Sequence, residues 1–216
     1  MTDMSLPQTA EAVLHHARHS SFATVSGNVR SATRQELQEL IGALDDAKAT
    51  VVALGDEGSA NELLAMSLAA QGAIDELGVW TALESGLPDA AWDSLVSAQY
   101  AASAAMRAHP GGAKYERDLN RRMAMQALLF PPQAFMSSGM IVRQAECSIC
   151  GSDYDECEHV KGLAYMGEMC IRTIQDAQLL EASIVDEPSD KRCRVTNVDG
   201  IDTLTLAPTE GSSDAG

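Results

Sequence analysis

The segment Cys147–Cys170, CSICGSDYDECEHVKGLAYMGEMC, holds four of the chain's five cysteines together with His159 in 24 residues. Cys147-x2-Cys150 has the spacing at which two thiolates on a tight turn reach one metal ion, and Gly151 supplies the backbone freedom such a turn needs. Cys157-x-His159 follows after a gap of six residues. Cys147, Cys150, Cys157 and His159 together satisfy a closed, tetrahedral, structural site for Zn2+. Cys170 is a fifth candidate, able to replace His159 or Cys157. Five candidates for four places argue against the open position that a catalytic zinc requires. Disulfides are the weaker reading, because the opening MTDMSLPQTAEAV has no basic stretch followed by an apolar one, as a secretory signal would. A redox Cys-x-x-Cys would be expected beside a βαβ pattern, and none is visible.

Upstream, the chain is alanine-rich and reads as helices. A short helix over about Thr9–His19 places Ala10, Val13, Leu14 and Ala17 on one side. His15 and His19 are four apart, but with no third ligand at helical spacing they read as surface residues. Ser20–Arg30 reads as a loop. Thr33-x-x-Glu36 and Ser59-x-x-Glu62 are capping boxes, opening helices with Leu37, Leu40, Ile41 and Leu44, and with Leu63, Met66, Ala70 and Ile74. Gly78 is expected to break or bend the second of these. Ser85-Gly86-Leu87-Pro88 restarts the chain as a helix to about Ala108, His109-Pro110-Gly111-Gly112 ends it, and a last helix runs from about Tyr115 to Leu129. Trp92, Met106, Met123 and Met125 read as core. Small side chains let helices approach closely, so residues 1–132 are expected to form a compact helical bundle.

Downstream, the period shortens. A strand is expected from about Met140 into Cys147, further strands over Cys170–Ile174, Leu179–Val185 and Lys191–Val198, and Cys193 is read as a buried or free thiol. Residues 135–200 form the zinc-stabilised β-rich module of an α+β chain, and 201–216 an acidic, disordered tail.

The formal net charge is −16, with 9 basic and 16 acidic groups in residues 1–140 and 6 and 15 in the remainder. Phosphate-backbone affinity needs clustered Lys and Arg, so no nucleic-acid partner is expected. No apolar run reaches the ~20 residues of a membrane span, which points to a cytoplasmic protein. The zinc segment is itself acidic, carrying Glu146, Asp153, Asp155, Glu156, Glu158 and Glu168 against Lys161. Such a surface holds a fold together or meets a protein.

Met136-Ser137-Ser138-Gly139-Met140, followed by Arg172-Thr173-Ile174 and by Leu179-Leu180-Glu181-Ala182-Ser183-Ile184-Val185-Asp186-Glu187-Pro188, resembles the C-terminal strands of tailed-phage prohead maturation proteases, with the Cys/His knuckle inserted between them. The match covers about residues 136–195. The resemblance implies a phage- or prophage-related protein, in host cytosol or virion, with an accessory or head-assembly role carried out through protein partners or self-association. It also implies an alternative, a serine peptidase with Ser137 as nucleophile. The base such a serine needs has no match upstream, where His15, His16, His19 and His109 lie in helical sequence.

Overall fold

The computed structural model describes residues 5–23, 26–198 and 201–204. Five helices come first: α1 (Leu6–Ala23), α2 (Gly27–Ala53), α3 (Glu57–Glu84), α4 (Pro88–Ala108) and, after a 3-10 turn over Pro110–Tyr115, α5 (Glu116–Leu129). Strands β1 (Phe135–Cys147), β2 (Ala164–Tyr165), β3 (Glu168–Met169), β4 (Arg172–Val185), β5 (Asn197–Val198) and β6 (Ile201–Asp202) follow. They pair as three antiparallel two-stranded sheets, β1 with β4, β2 with β3, and β5 with β6. The fold is α+β, helices first.

α3 is the central helix. It buries Leu63, Leu64, Met66, Ala70, Ile74 and Leu77, positions too widely spread for one stripe, as befits a helix covered on several sides. Ala10, Leu14 and Ala17 of α1 and Leu37, Leu40 and Leu44 of α2 close over its first half. A second cluster forms at its other end. There Trp92 meets Phe130 edge-on at 5.3 Å and Phe135 at 6.0 Å, among Val79, Leu95, Val96 and Met125. Between the clusters, fully buried Glu76 accepts from Arg122 Nε at 3.0 Å and Arg121 Nη2 at 2.6 Å, and Arg122 Nη1 donates to the Ala98 carbonyl. This network ties α5 to α3 and α4.

Several local expectations are corrected. Most of the expected Ser20–Arg30 loop is helical, since α1 continues to Ala23 and α2 opens at Gly27 behind Ser26. Thr33 is therefore not a cap; it is buried within α2. The cap of α3 is Asp56, whose carboxylate accepts from both the amide and the hydroxyl of Ser59. Gly78 does not interrupt α3. A Cβ there would sit 3.2 Å from Ser94 Oγ, so glycine permits the close approach of α4. Met123 lies at the surface, whereas Trp92 and Met125 are core.

The two strands expected over Cys170–Ile174 and Leu179–Val185 are one, β4, and with β1 it makes a long antiparallel ribbon from Phe135↔Val185 to Cys147↔Arg172, interrupted by three register shifts. Opposite pairs share a face. Met136↔Ile184, Ser138↔Ala182, Met140↔Leu179 and Val142↔Ala177 make one face apolar, while Ser137↔Ser183, Gly139↔Glu181 and Ile141↔Gln178 make the other largely polar. Every residue of β4 from Thr173 to Ile184 is exposed. The ribbon is held at its ends. Phe135 and Val185 join the Trp92 cluster near the end of α3, and the loop between β1 and β4 docks at the start of α3.

The last segment is also attached. Lys191–Val198 is not one strand: Arg194 bridges Phe135, and only Asn197 and Val198 pair onward. Residues 201–204, expected as the start of a disordered tail, belong to this β5–β6 hairpin, because buried Thr203 accepts from Arg194 Nη1 at 2.7 Å and donates to the Val195 carbonyl. Residues 205–216 lie outside the described residues. Cys193 is exposed and free.

Candidate metal centre

The loop joining β1 to β4 is the Cys147–Cys170 segment. Its first turn follows the expected geometry: the Gly151 amide donates to the Cys147 carbonyl at 2.8 Å, Gly151 takes φ +71°, and the Cys147 amide donates to the Ser152 carbonyl. This brings the two thiols of Cys147-x2-Cys150 together. The second pair, Cys157 and His159, is set by two tyrosines. Tyr165 Oη accepts from the Val160 amide at 2.9 Å and Tyr154 Oη from the Lys161 amide at 2.8 Å, while the His159 ring stands edge-on to Tyr165 at 4.6 Å. Arg172 lies over the Tyr154 ring and 3.6 Å from Asp155.

The ligand atoms of Cys147, Cys150, Cys157 and His159 all lie within 4.8 Å of one another. Cys170 is not in that mutual set, although its Sγ is 3.8 Å from Cys147 Sγ and it is fully buried. Cys170 is fixed differently, its amide donating to the Leu163 carbonyl and its carbonyl accepting from the Gly162 amide.

Four observations fit this cluster to a metal ion. Three sulfurs and one imidazole within a common sphere are a tetrahedral donor set. His159 Nδ1 is buried with no hydrogen-bond partner, and a buried polar atom left unsatisfied calls for an occupant. Burial alone would push the Cys147 thiol up. The Cys150 and Ile149 amides and the thiols of Cys150 and Cys157 overcome this, bringing it down to about 7 and favouring the thiolate. Cys150 is lowered by the Ser152 amide and hydroxyl. Burial raises both Cys157 and Cys170, the latter to about 11 with the neighbouring Cys147 sulfur adding to it.

The cluster is moored to the bundle by residues without a sequence signal. Asn61 of α3 donates to the Ala164 carbonyl at 3.2 Å and accepts from the Gly167 amide at 2.8 Å. Ala164 and Met169 pack on the α1–α3 core. Between β2 and β3 the turn is Met166-Gly167, both at positive φ, the two-residue hairpin geometry usually given to Asn-Gly.

Ser137 lies near the base of the ribbon opposite Ser183, far along β1 from His159, and no hydrogen bond joins its hydroxyl to a histidine among the described residues. His15 and His19 are exposed on α1 and His109 caps the 3-10 turn by accepting from the Gly111 amide. No described helix is long and apolar enough to cross a membrane. No family model, curated protein or solved structure matches the chain.

Proposed function

We propose that this is a structural zinc protein that acts through protein–protein contact, with the zinc knuckle clamping one end of a β-ribbon that serves as the contact surface. The observation that carries the reading is the apolar face of the ribbon. Leu179 is 64 % exposed and Ile184 71 %, on a two-stranded sheet whose β1 edge is bridged near its ends, at Phe135 and Glu146, and is open between them among the described residues. A two-stranded ribbon is marginal in water without a third strand or a packed layer, and open edges invite pairing. A partner protein or a second copy supplies either. Zinc suits the cluster because three thiolates and an imidazole match its preferred ligands and geometry. The two segments that resemble prohead maturation proteases are β1 and β4 themselves, which supports an accessory role in phage head assembly.

Two experiments test this. Native mass spectrometry should find one zinc per chain, lost in Cys150→Ser and His159→Ala and kept in Cys170→Ser. Loss in Cys170→Ser with retention in His159→Ala would make the site all-cysteine, and no metal in any sample would sink the zinc reading. A photo-crosslinking residue at Ile184 should capture a protein in far higher yield than one at Gln178 on the polar face. Equal yields would remove the ribbon from the proposal.

A further inference from the structure

A cavity of about 410 Å³ opens between α1 and α5, on the bundle and away from the knuckle. Glu11, His15, Arg18 and His19 face it from α1, spaced so that they share one helical face. Lys114 comes from the 3-10 turn, and Arg117, Asp118 and Arg121 from α5. Four of the chain's 15 lysines and arginines and two of its five histidines thus line one cavity, in a protein of net charge −16. Two carboxylates against four cations leave the lining positive.

The arrangement is rigid on one side and open on the other. Arg18 grips Asp118 with a two-pronged bond, Nε to Oδ1 at 2.9 Å and Nη2 to Oδ2 at 2.7 Å, and Arg121 bonds buried Glu76, so both guanidiniums are fixed at the back. At the rim, Lys114 pairs with Glu11 through half-exposed side chains, an ion pair of small net worth that yields to a stronger anion. Arg117 has no ion pair among the described residues.

The two imidazoles complete the set. His15 Nε2 and His19 Nε2 face each other at 3.3 Å, so one ring must donate and the other accept. An oxyanion between them would accept from both, each ring then carrying its proton on Nε2. Four surrounding cations disfavour a metal ion on this histidine pair, one turn apart though it is.

We infer that this cavity binds the phosphate group of a small organic monoester. A phosphate presents three acceptor oxygens to donors arriving from α1, the 3-10 turn and α5, and Arg and Lys are the side chains that recognise it. The volume falls in the range of small-ligand sites and leaves room for the organic part.

The test is calorimetric titration at low salt with phenyl phosphate and, separately, inorganic phosphate. Phenyl phosphate should bind one per chain and at least about tenfold more tightly than inorganic phosphate. Arg117→Ala and the double variant His15→Gln/His19→Gln should each weaken it by at least about tenfold. Nitrogen-detected imidazole spectra should show the accepting ring moving to the Nε2–H form on binding, so that both rings carry the proton on Nε2. All three residues are exposed, so circular dichroism should be unchanged; if the double variant disturbs α1, Arg117→Ala on α5 decides alone. Saturable binding of neither probe, affinity unchanged in the variants, or inorganic phosphate binding as tightly as the ester would each overturn the inference. So would binding of Ni2+ by the histidine pair with no response to phosphate. None of these outcomes depends on the zinc knuckle or the ribbon.

Discussion

Removing the metal should release the knuckle and leave the helices standing. Structural zinc in small modules contributes on the order of 10 kcal/mol or more. Without it, the segment's side-chain links to the bundle are the two Asn61 hydrogen bonds and a longer one from the Met166 amide to Glu57 at 3.4 Å, beside the partly buried Ala164 and Met169. At a net ~1 kcal/mol per hydrogen bond, these bonds supply roughly 2–3 kcal/mol, far less than the metal. Hydrogen exchange before and after chelation reads the difference amide by amide. The amides of Cys147, Gly151, Gly162 and Cys170, all bonded within the loop or at its base, should exchange at least about a thousandfold faster, for a loss of ~4 kcal/mol or more. Amides of Leu64 to Leu77 should not change. Persistent protection of those four after verified metal loss would refute the argument, and so would collapse of protection along α3.

Asn61→Ala should destabilise the docked knuckle by about 2 kcal/mol, seen as faster exchange at Gly167 with the bundle's melting unchanged. Arg122→Met strands buried Glu76 with one fewer partner and should cost about 3–5 kcal/mol in denaturant unfolding; a loss under ~1 kcal/mol would show the network to be dispensable. Met166→Asn places a residue that tolerates φ +48° in the β2–β3 turn and should gain up to ~1 kcal/mol, read as a higher melting temperature for the knuckle. Zinc affinity should be nearly flat just above pH 7 where Cys147 is concerned, and fall as pH drops through about 7, because its thiol, held below its ordinary value, must then give up a proton to bind. Competition with a chromogenic chelator at pH 8, 7 and 6 measures this, and an affinity independent of pH would exclude thiolate ligation.

The Cys/His cluster was legible because its information is local: two short spacings and a glycine turn bring four candidate ligands together within 13 residues. The helices were legible from their apolar period. Their starts were not, since α2 opens behind Ser26 with no side-chain cap, while buried Thr33 mimics a capping box one turn and more inside. The unity of β4 was hidden for a physical reason. Exposed along almost its whole length, it needs no continuous apolar pattern, and Gln175-Asp176 reads as a break. Asn61 could not be found, since its partners lie more than 100 residues away and an asparagine on a helix has no motif. Glu11 stands one turn before His15 at helical spacing, but only the packing of α5 against α1 makes the two line one cavity.

The ribbon is a strut fixed at both ends to the helical bundle, at α3 by its knuckle and at the Trp92 cluster shared by α3, α4 and α5 by its base. Its knuckle end meets α3 at Asn61, and its base meets the Val79–Trp92 cluster, some 20 residues further along, or ~30 Å at 1.5 Å per residue. Its span is therefore set by the bundle, and a partner that twists the ribbon must strain one of the two moorings. The register shifts at Gly139/Met140, Val142/Gln144 and Gln144/Ala145 are where slack in the strut resides. Inserting one helical turn into α3 would lengthen that helix by ~5.4 Å and shift the knuckle mooring relative to the base.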